Sequence, residues 1–379
     1  MRTTHQRIGV FGSNAFTLVN FRLPLMRKMV RHGHQVFAVA PDYDEQTRAA
    51  LVAENITPVP VSLARAGTNS LRDSSDLVAL ARQLRSLKLD VLLSYGIKPV
   101  VYGTIAAKWA GIPHRYALIA GLGYAFGDGS GPRRWALRQA ARWSYKLALS
   151  LTDRVFMQNP DDAHDFVRMG IVPAHRITRV NGTGVDLDAF PALSPVARPL
   201  TFILVARLLR EKGIEDFVFA ARIVRQMAPE ARFLIVGGLD SNPGALSSTD
   251  VAAWVDEGLV KWTGHVDVRP YLAQSSVFVL PSYYREGIPR SILEALSSGR
   301  PVITTDTPGC KETVIPGENG FLVPPRDPDQ LASAMIKFAK DPSLISTMGH
   351  RSRELAEEKF DIRDVNRKML ATMELSVSI

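Results

Sequence analysis

The chain has 379 residues and one cysteine, Cys310. That excludes a disulfide framework and any cysteine-based zinc cluster, and it fits a reducing compartment. No stretch approaches the ~18 consecutive apolar residues of a membrane-spanning helix. The first apolar run starts at Ile8 and breaks at Gly12, too soon for the core of an export signal. Several chemical signatures are also missing. There is no Gly-x-Gly-x-x-Gly fingerprint, no Walker A loop, no Gly-x-Ser-x-Gly elbow and no His-Glu-x-x-His pair. The 8 histidines are scattered and form no metal-ligand spacing. No aromatic RNA-binding motif and no solenoid repeat is visible.

The composition is otherwise that of a folded chain, 46% hydrophobic and 22% charged, and the length suits two or three domains. The net charge of +9 is unevenly spread. Residues 1–190 carry 24 Lys/Arg against 14 Asp/Glu, whereas residues 191–379 carry 22 against 23. A basic first half fits a nucleic acid, an anionic membrane surface or a phosphorylated substrate, and also plain solubility.

Strand and helix signals alternate twice along the chain. Arg7 to Phe11, Gln35 to Ala40, Asp90 to Ser94 and Tyr116 to Ala120 read as strands, with helical spacing over Leu23–Arg31, Ser75–Leu87 and Val101–Trp109. Three prolines between Phe190 and Pro199 mark a linker. The rhythm restarts with strands at Leu200–Val205, Arg232–Val236, Val277–Leu280 and Pro301–Thr304, and the segments from Asp327 onward read as helices. Alternation of this kind predicts two α/β halves, each a parallel sheet wound on both faces. Ligands of such sheets bind beyond the carboxyl ends of the strands, and with two halves the expected site is a cleft between them.

Four groups of residues stand where such a ligand would bind. Glu286 follows a strand and Glu294 lies in the next helix, with Ile292, Leu293 and Leu296 on another face of it; Pro289 suits that helix's first turn and Gly299 its end. The helix start at Gly287–Arg290 is expected to present backbone N–H groups and a positive dipole end to a phosphate. Arg207 and Lys212, before Gly213, place two cations after the first strand of the second half, as a diphosphate requires. Each group taken alone reads more readily as charged surface. Gly12, Gly121–Gly123 and Gly182–Gly184 are turn glycines. A fourth stretch, Arg133–Lys146, sets Arg134, Arg138 and Arg142 in one helical row flanked by Trp135 and Trp143, as in a membrane-surface helix or in a packed helix with one solvated face.

In combination these motifs resemble the retaining, nucleotide-sugar-dependent glycosyltransferases of family four, which have the GT-B fold. Glu286 and Glu294 match that family's Glu-x7-Glu motif, and Arg207 with Lys212-Gly213 its diphosphate-binding pair. Val236-Gly237-Gly238, Gly264-His265-Val266 and Asn319 to Val323 follow in the family's order. In the first half Tyr95 to Pro99, Gly121 to Phe126, Gln158 to Asp162 and Gly182 to Asp186 look like a bacterial subgroup that builds capsule, O-antigen or lipid-linked oligosaccharides on undecaprenyl diphosphate.

The resemblance implies two doubly wound Rossmann-like domains facing a cleft. Residues 1–190 would bind the acceptor and 191–361 the nucleotide-sugar donor, with a C-terminal helix at about 362–379 packing back on the first domain. It implies transfer of a hexose or N-acetylhexosamine from a UDP-sugar to a lipid-diphosphate-linked glycan, without a cofactor and without a metal. Glu294 would bond the ribose, Glu286 would face the transferred sugar, and Arg207 and Lys212 would grip the diphosphate. The backbone at Gly287, Ile288 and Pro289, beside the helix start, would hold sugar or phosphate oxygens. Gly12 would allow close backbone approach and Val266 would sit by the base. Arg22, Lys98 and Tyr124 are the acceptor candidates. Arg133, Arg134, Arg138 and Arg142 are the candidates for anionic lipid. Many relatives place a histidine near the acceptor where this chain has Ala120-Gly121, so a protein base is not expected. The expected location is the inner face of the cytoplasmic membrane, peripherally bound. The alternatives are a GT-B-like nucleotide-sugar epimerase or hydrolase, a basic nucleic-acid-binding protein and an inactive scaffold of the same fold. No nucleic-acid partner is expected on the leading reading.

Overall fold

In the computed structural model of the chain, residues 5–62, 70–122, 126, 131–240, 242 and 244–375 are described, without the side chains of 70–74 and 133. Tyr124 lies outside them. The chain divides into two units, Met1–Thr183 with Arg363–Ile379, and Gly184–Ile362.

The first unit is built on seven parallel strands: β1 (Arg7–Gly12), β2 (Gln35–Ala40), β3 (Ile56–Pro60), β4 (Val91–Tyr95), β5 (His114–Ile119), β6 (Arg154–Met157) and β7 (Ile177–Arg179). Their order is β3-β2-β1-β4-β5-β6-β7, so the winding direction reverses between β1 and β4, where Gly12 is in register with Tyr95. The helix after β1 runs Ala15–Arg31, longer than its apolar spacing predicts. Asn14 caps it, accepting from the Thr17 N–H at 2.7 Å, and Pro24 is tolerated inside it. Val101–Trp109 also differs from expectation: a π-helical turn, Pro99–Gly103, leads into an α-helix at Thr104–Ala110.

The second unit has six parallel strands: β8 (Thr201–Val205), β9 (Arg232–Val236), β10 (Lys261–Trp262), β11 (Val277–Leu280), β12 (Val302–Thr305) and β13 (Gly320–Val323). The order β10-β9-β8-β11-β12-β13 reverses between β8 and β11. Phe202 and Leu204 pack into one helical layer and Ile203 into the other, which is why β8 is apolar at successive positions rather than alternating.

The two units divide at 183/184, a few residues before the linker expected after residue 190. Val185, Leu187 and Phe190 are buried in the core of the second unit, and the proline-rich stretch follows them. From 328 onward there are three helices, Pro328–Lys340, Ser343–Lys359 and Ile362–Thr372. The last one carries Val365, Met369 and Leu370 into the core that contains Ile8 and Val10 of β1, so the chain's end belongs to the first unit.

Candidate active site

In an open parallel sheet a crevice forms where neighbouring crossovers diverge to opposite faces, beyond the carboxyl ends of the strands. In the second unit that point lies between β8 and β11. The segment after β8 carries Arg207 and Lys212, and the segment after β11 carries Ser282 and Glu286. The topology thus brings together residues 74 positions apart: the Lys212 ammonium and a Glu286 carboxylate oxygen form an ion pair. Both side chains are mostly covered, 14% and 12% exposed. The Ser282 hydroxyl lies 2.9 Å from the same carboxylate oxygen and 3.1 Å from the Glu211 carbonyl. The Tyr283 and Tyr284 N–H groups donate to that carbonyl too, which fixes the loop after β8 on the loop after β11. Gly213 makes the contact possible: its φ is +71°, and a Cβ there would lie 2.1 Å from the Pro281 carbonyl oxygen.

Arg207 is more exposed and pairs with Asp240 at 2.6 Å. Glu294 sits in the helix Arg290–Ser297, for which Pro289 is the N-cap. It is not a solvated residue but a buried one, 9% exposed, with Arg290 at 2.8 Å along the helix. Burial pushes its carboxyl above the usual range, Arg290 opposes this, and the charge of Asp267, next to Val266, adds to it. The turn holding Val266 is tied to the end of β9 by the Gly237 N–H, which donates to the Gly264 carbonyl at 2.9 Å. Under the Glu286 loop lies Cys310, fully buried, its thiol pushed up to about 12 by burial and then by the Glu286 charge. A thiol so placed stays protonated and unreactive.

Burial of Glu294 makes a stability prediction. Its folded pKa lies above the unfolded value of about 4.3, so the native state holds this proton more tightly. The group's contribution to stability is full below that value and is lost as pH rises through the folded pKa. Glu294→Gln is therefore expected to gain stability relative to the parent as pH rises above about 4.3, read by urea unfolding. A difference that stays constant with pH would contradict it.

In the first unit Gly12, Arg22 and Lys98 cluster near the β1/β4 reversal. Gly12 ends β1, and Lys98 is half-buried just before the π-helical turn. Arg22 is 1% exposed, with its guanidinium 4.3 Å from the centre of the Tyr95 ring, so it packs against Tyr95 beside the reversal. In the helix Pro132–Ser150, Arg134, Arg138 and Arg142 are half-buried, and Arg142 donates to the Met169 carbonyl at 3.0 Å. Trp135 and Trp143, each 66% exposed, and Leu137 and Leu147 are exposed on this helix, Trp143 and Leu147 one turn apart on the same face. The side chain of Arg133 lies outside the described residues. Helical spacing found the arginine row, but only the packing shows which way the row turns.

The model described as glycosyl transferases group 1 matches residues 199–341, and that of the glycosyl transferase 4-like domain matches residues 20–182. The capsular polysaccharide biosynthesis glycosyltransferase CapM of Staphylococcus aureus is 31% identical over 313 residues, which is 75% of this chain and 78% of CapM. The chain belongs to this glycosyltransferase family. Two further relatives of this glycosyltransferase span nearly its whole length. The N,N'-diacetylbacillosaminyl-diphospho-undecaprenol alpha-1,3-N-acetylgalactosaminyltransferase of Campylobacter jejuni is 28% identical, covering 89% of this chain and 90% of its own. The UDP-Gal:alpha-D-GlcNAc-diphosphoundecaprenol alpha-1,3-galactosyltransferase of Escherichia coli is 26% identical, covering 96% and 95%. Among solved structures, sucrose-phosphate synthase from Thermosynechococcus elongatus superposes with a TM-score of 0.81 at 20% identity, over 98% of both chains, which shows that the glycosyltransferase has the GT-B fold.

Proposed function

We propose that this glycosyltransferase moves a hexose or N-acetylhexosamine from a UDP-sugar to a sugar carried on undecaprenyl diphosphate, with retention at the anomeric carbon. The observation that carries the reading is the Lys212–Glu286 pair at the β8/β11 reversal, with Arg207 beside it on the same loop. A nucleoside diphosphate leaves with growing negative charge, and fixed cations at that point stabilise it. Lys212 and Arg207 take the diphosphate, Glu286 faces the transferred sugar, and Glu294 accepts from the ribose hydroxyls. The backbone at Gly287 and Ile288 meets donor oxygens, and Val266 lies by the base. On the first unit, Gly12 serves close backbone approach, and Lys98 and Tyr124 meet the acceptor. With these cations in place, no metal is invoked.

The donor and acceptor classes are supported by the names of the two undecaprenol-linked relatives. Both are named for α-1,3 transfers, and from an α-configured nucleotide sugar that outcome is retention. The bond from the anomeric carbon to phosphate oxygen breaks, and the acceptor oxygen bonds to the same face. The acceptor's proton passes to the departing phosphate oxygen. The deciding experiment incubates the enzyme with UDP- and GDP-sugars and a lipid-diphosphate-linked acceptor, and reads the product linkage by NMR. A β-linked product from an α-donor contradicts retention, and turnover of the nucleotide sugar to an epimer without acceptor contradicts transfer.

On this reading an anionic membrane surface meets the exposed Trp143 and Leu147 of the helix Pro132–Ser150. That helix has five Lys/Arg and no acidic residue, and the Lys146 ammonium lies 5.4 Å from the Trp143 ring centre. Exposed Trp and Leu beside snorkelling cations suit an anionic lipid interface. Trp143→Ser with Leu147→Ser is expected to weaken binding to anionic vesicles by about tenfold or more, since each buried side chain contributes about 1.5–3 kcal/mol when fully covered. Turnover of a short-chain, soluble acceptor should not change. Vesicle binding equal to the parent's would remove this face from the membrane reading.

A further inference from the structure

The second carboxylate of the diphosphate region, Asp240, has no part in the reading above. It lies after β9, in a segment that is zipped onto the Arg207 loop. The Leu208 N–H donates to the Gly238 carbonyl at 3.0 Å, the Arg210 N–H to the Gly244 carbonyl at 2.9 Å, and the Leu246 N–H to the Leu208 carbonyl at 2.9 Å. Within this frame Asp240 is nearly covered, its side chain 11% exposed, while the Arg207 side chain is 57% exposed. One Asp240 oxygen accepts from the Asn242 backbone N–H at 2.9 Å and from its side-chain amide at 2.5 Å. The other accepts from an Arg207 terminal nitrogen at 2.6 Å.

We propose that Asp240 is a positioning residue for Arg207: an anchored carboxylate that holds an otherwise mobile guanidinium ready for the donor's diphosphate. The inference rests on the reading that Arg207 grips that diphosphate. An exposed arginine samples many rotamers, and ordering it when a ligand binds opposes binding. Asp240 does the ordering beforehand and occupies only one of the guanidinium's nitrogens in the contact seen. The other N–H donors are left to serve a phosphate, which binds arginine best through two parallel hydrogen bonds. The opposite role is also conceivable from the charges alone. A carboxylate beside the diphosphate site repels the ligand and competes for the arginine. The two roles predict opposite signs.

The test is calorimetric titration of UDP into the parent, Asp240→Asn, Arg207→Ala and the double variant. Positioning predicts that Asp240→Asn weakens UDP binding by about three- to tenfold. It also predicts that the same change has no further effect once Arg207 is alanine, since Asp240 acts through it. Tighter UDP binding by Asp240→Asn overturns the proposal and makes Asp240 a competitor. Equal weakening in both backgrounds also overturns it, because the effect then comes from the loop and not from Arg207. If the parent binds UDP and Arg207→Ala binds it as well, the assignment of Arg207 to the diphosphate is itself wrong, and the proposal falls with it. UDP binding lost on Arg207→Ala but untouched by Asp240→Asn rejects the Asp240 role alone.

Discussion

Lys212→Met is expected to lower turnover by about 10²–10³, the range seen when one fixed donor is removed from a developing anion. The same change leaves the Glu286 carboxylate, 12% exposed, without its cation. Breaking a covered ion pair from one side costs on the order of 3 kcal/mol, because the remaining charge stays desolvated. The two losses separate in a second variant. Lys212→Met combined with Glu286→Gln removes both charges, so urea unfolding should recover most of the lost stability. Turnover and the thermal shift given by UDP should stay lost, since no ammonium returns. Parent-like turnover in Lys212→Met would take Lys212 out of the chemistry. Recovery of turnover in the double variant would mean that the single change acted only by disturbing the fold.

Gly309→Ala should also have a large effect, although Gly309 carries no chemistry. Its φ is +87°, and a Cβ there would sit 1.7 Å from the Gly287 carbonyl oxygen and 2.8 Å from that of Glu286. The positive φ alone costs about 1–2 kcal/mol for a non-glycine residue. The contact is with backbone, which no rotamer change relieves, so the loop carrying Glu286 and Gly287 must move. A shift of about 1 Å at a reacting geometry costs as much as 10²-fold in rate. The comparison is Gly258→Ala, with φ +67° and nothing within 4 Å of the added carbon. It should lose about 1–2 kcal/mol from its backbone and turn over like the parent. Similar rates for the two variants would show that the close approach at Gly309 does not hold the donor loop in place.

The outline of the fold was legible because it rests on local patterns. Short apolar runs marked the strands, and their alternation with helical spacing pointed to two parallel sheets. The spacing of Glu286 and Glu294 and of Arg207 and Lys212, read together, pointed to the family. Other features were illegible because they depend on which segments become neighbours. Ser282 and Asp240 carry no motif signal of their own, and only β11 beside β8, and the β9 loop against Arg207, make them partners. Glu294 looked like a residue turned away from its helix's apolar face, but neighbouring segments cover it.

What the sequence determined by itself is the class of chemistry: cations and carboxylates at fixed distances from strand ends, within a chain able to wind two parallel sheets. Those spacings are short, and backbone geometry over a few residues translates them directly into position. What only the tertiary structure decided is how each charge is paired and covered. Lys212 meets Glu286, Arg207 meets Asp240, Arg22 is buried against Tyr95, and Trp135 and Trp143 are more exposed than Arg134, Arg138 and Arg142 of the same helix. Pairing and exposure are set by contacts between segments far apart in the chain. The energy of a charge depends on those contacts far more than on its neighbours in sequence.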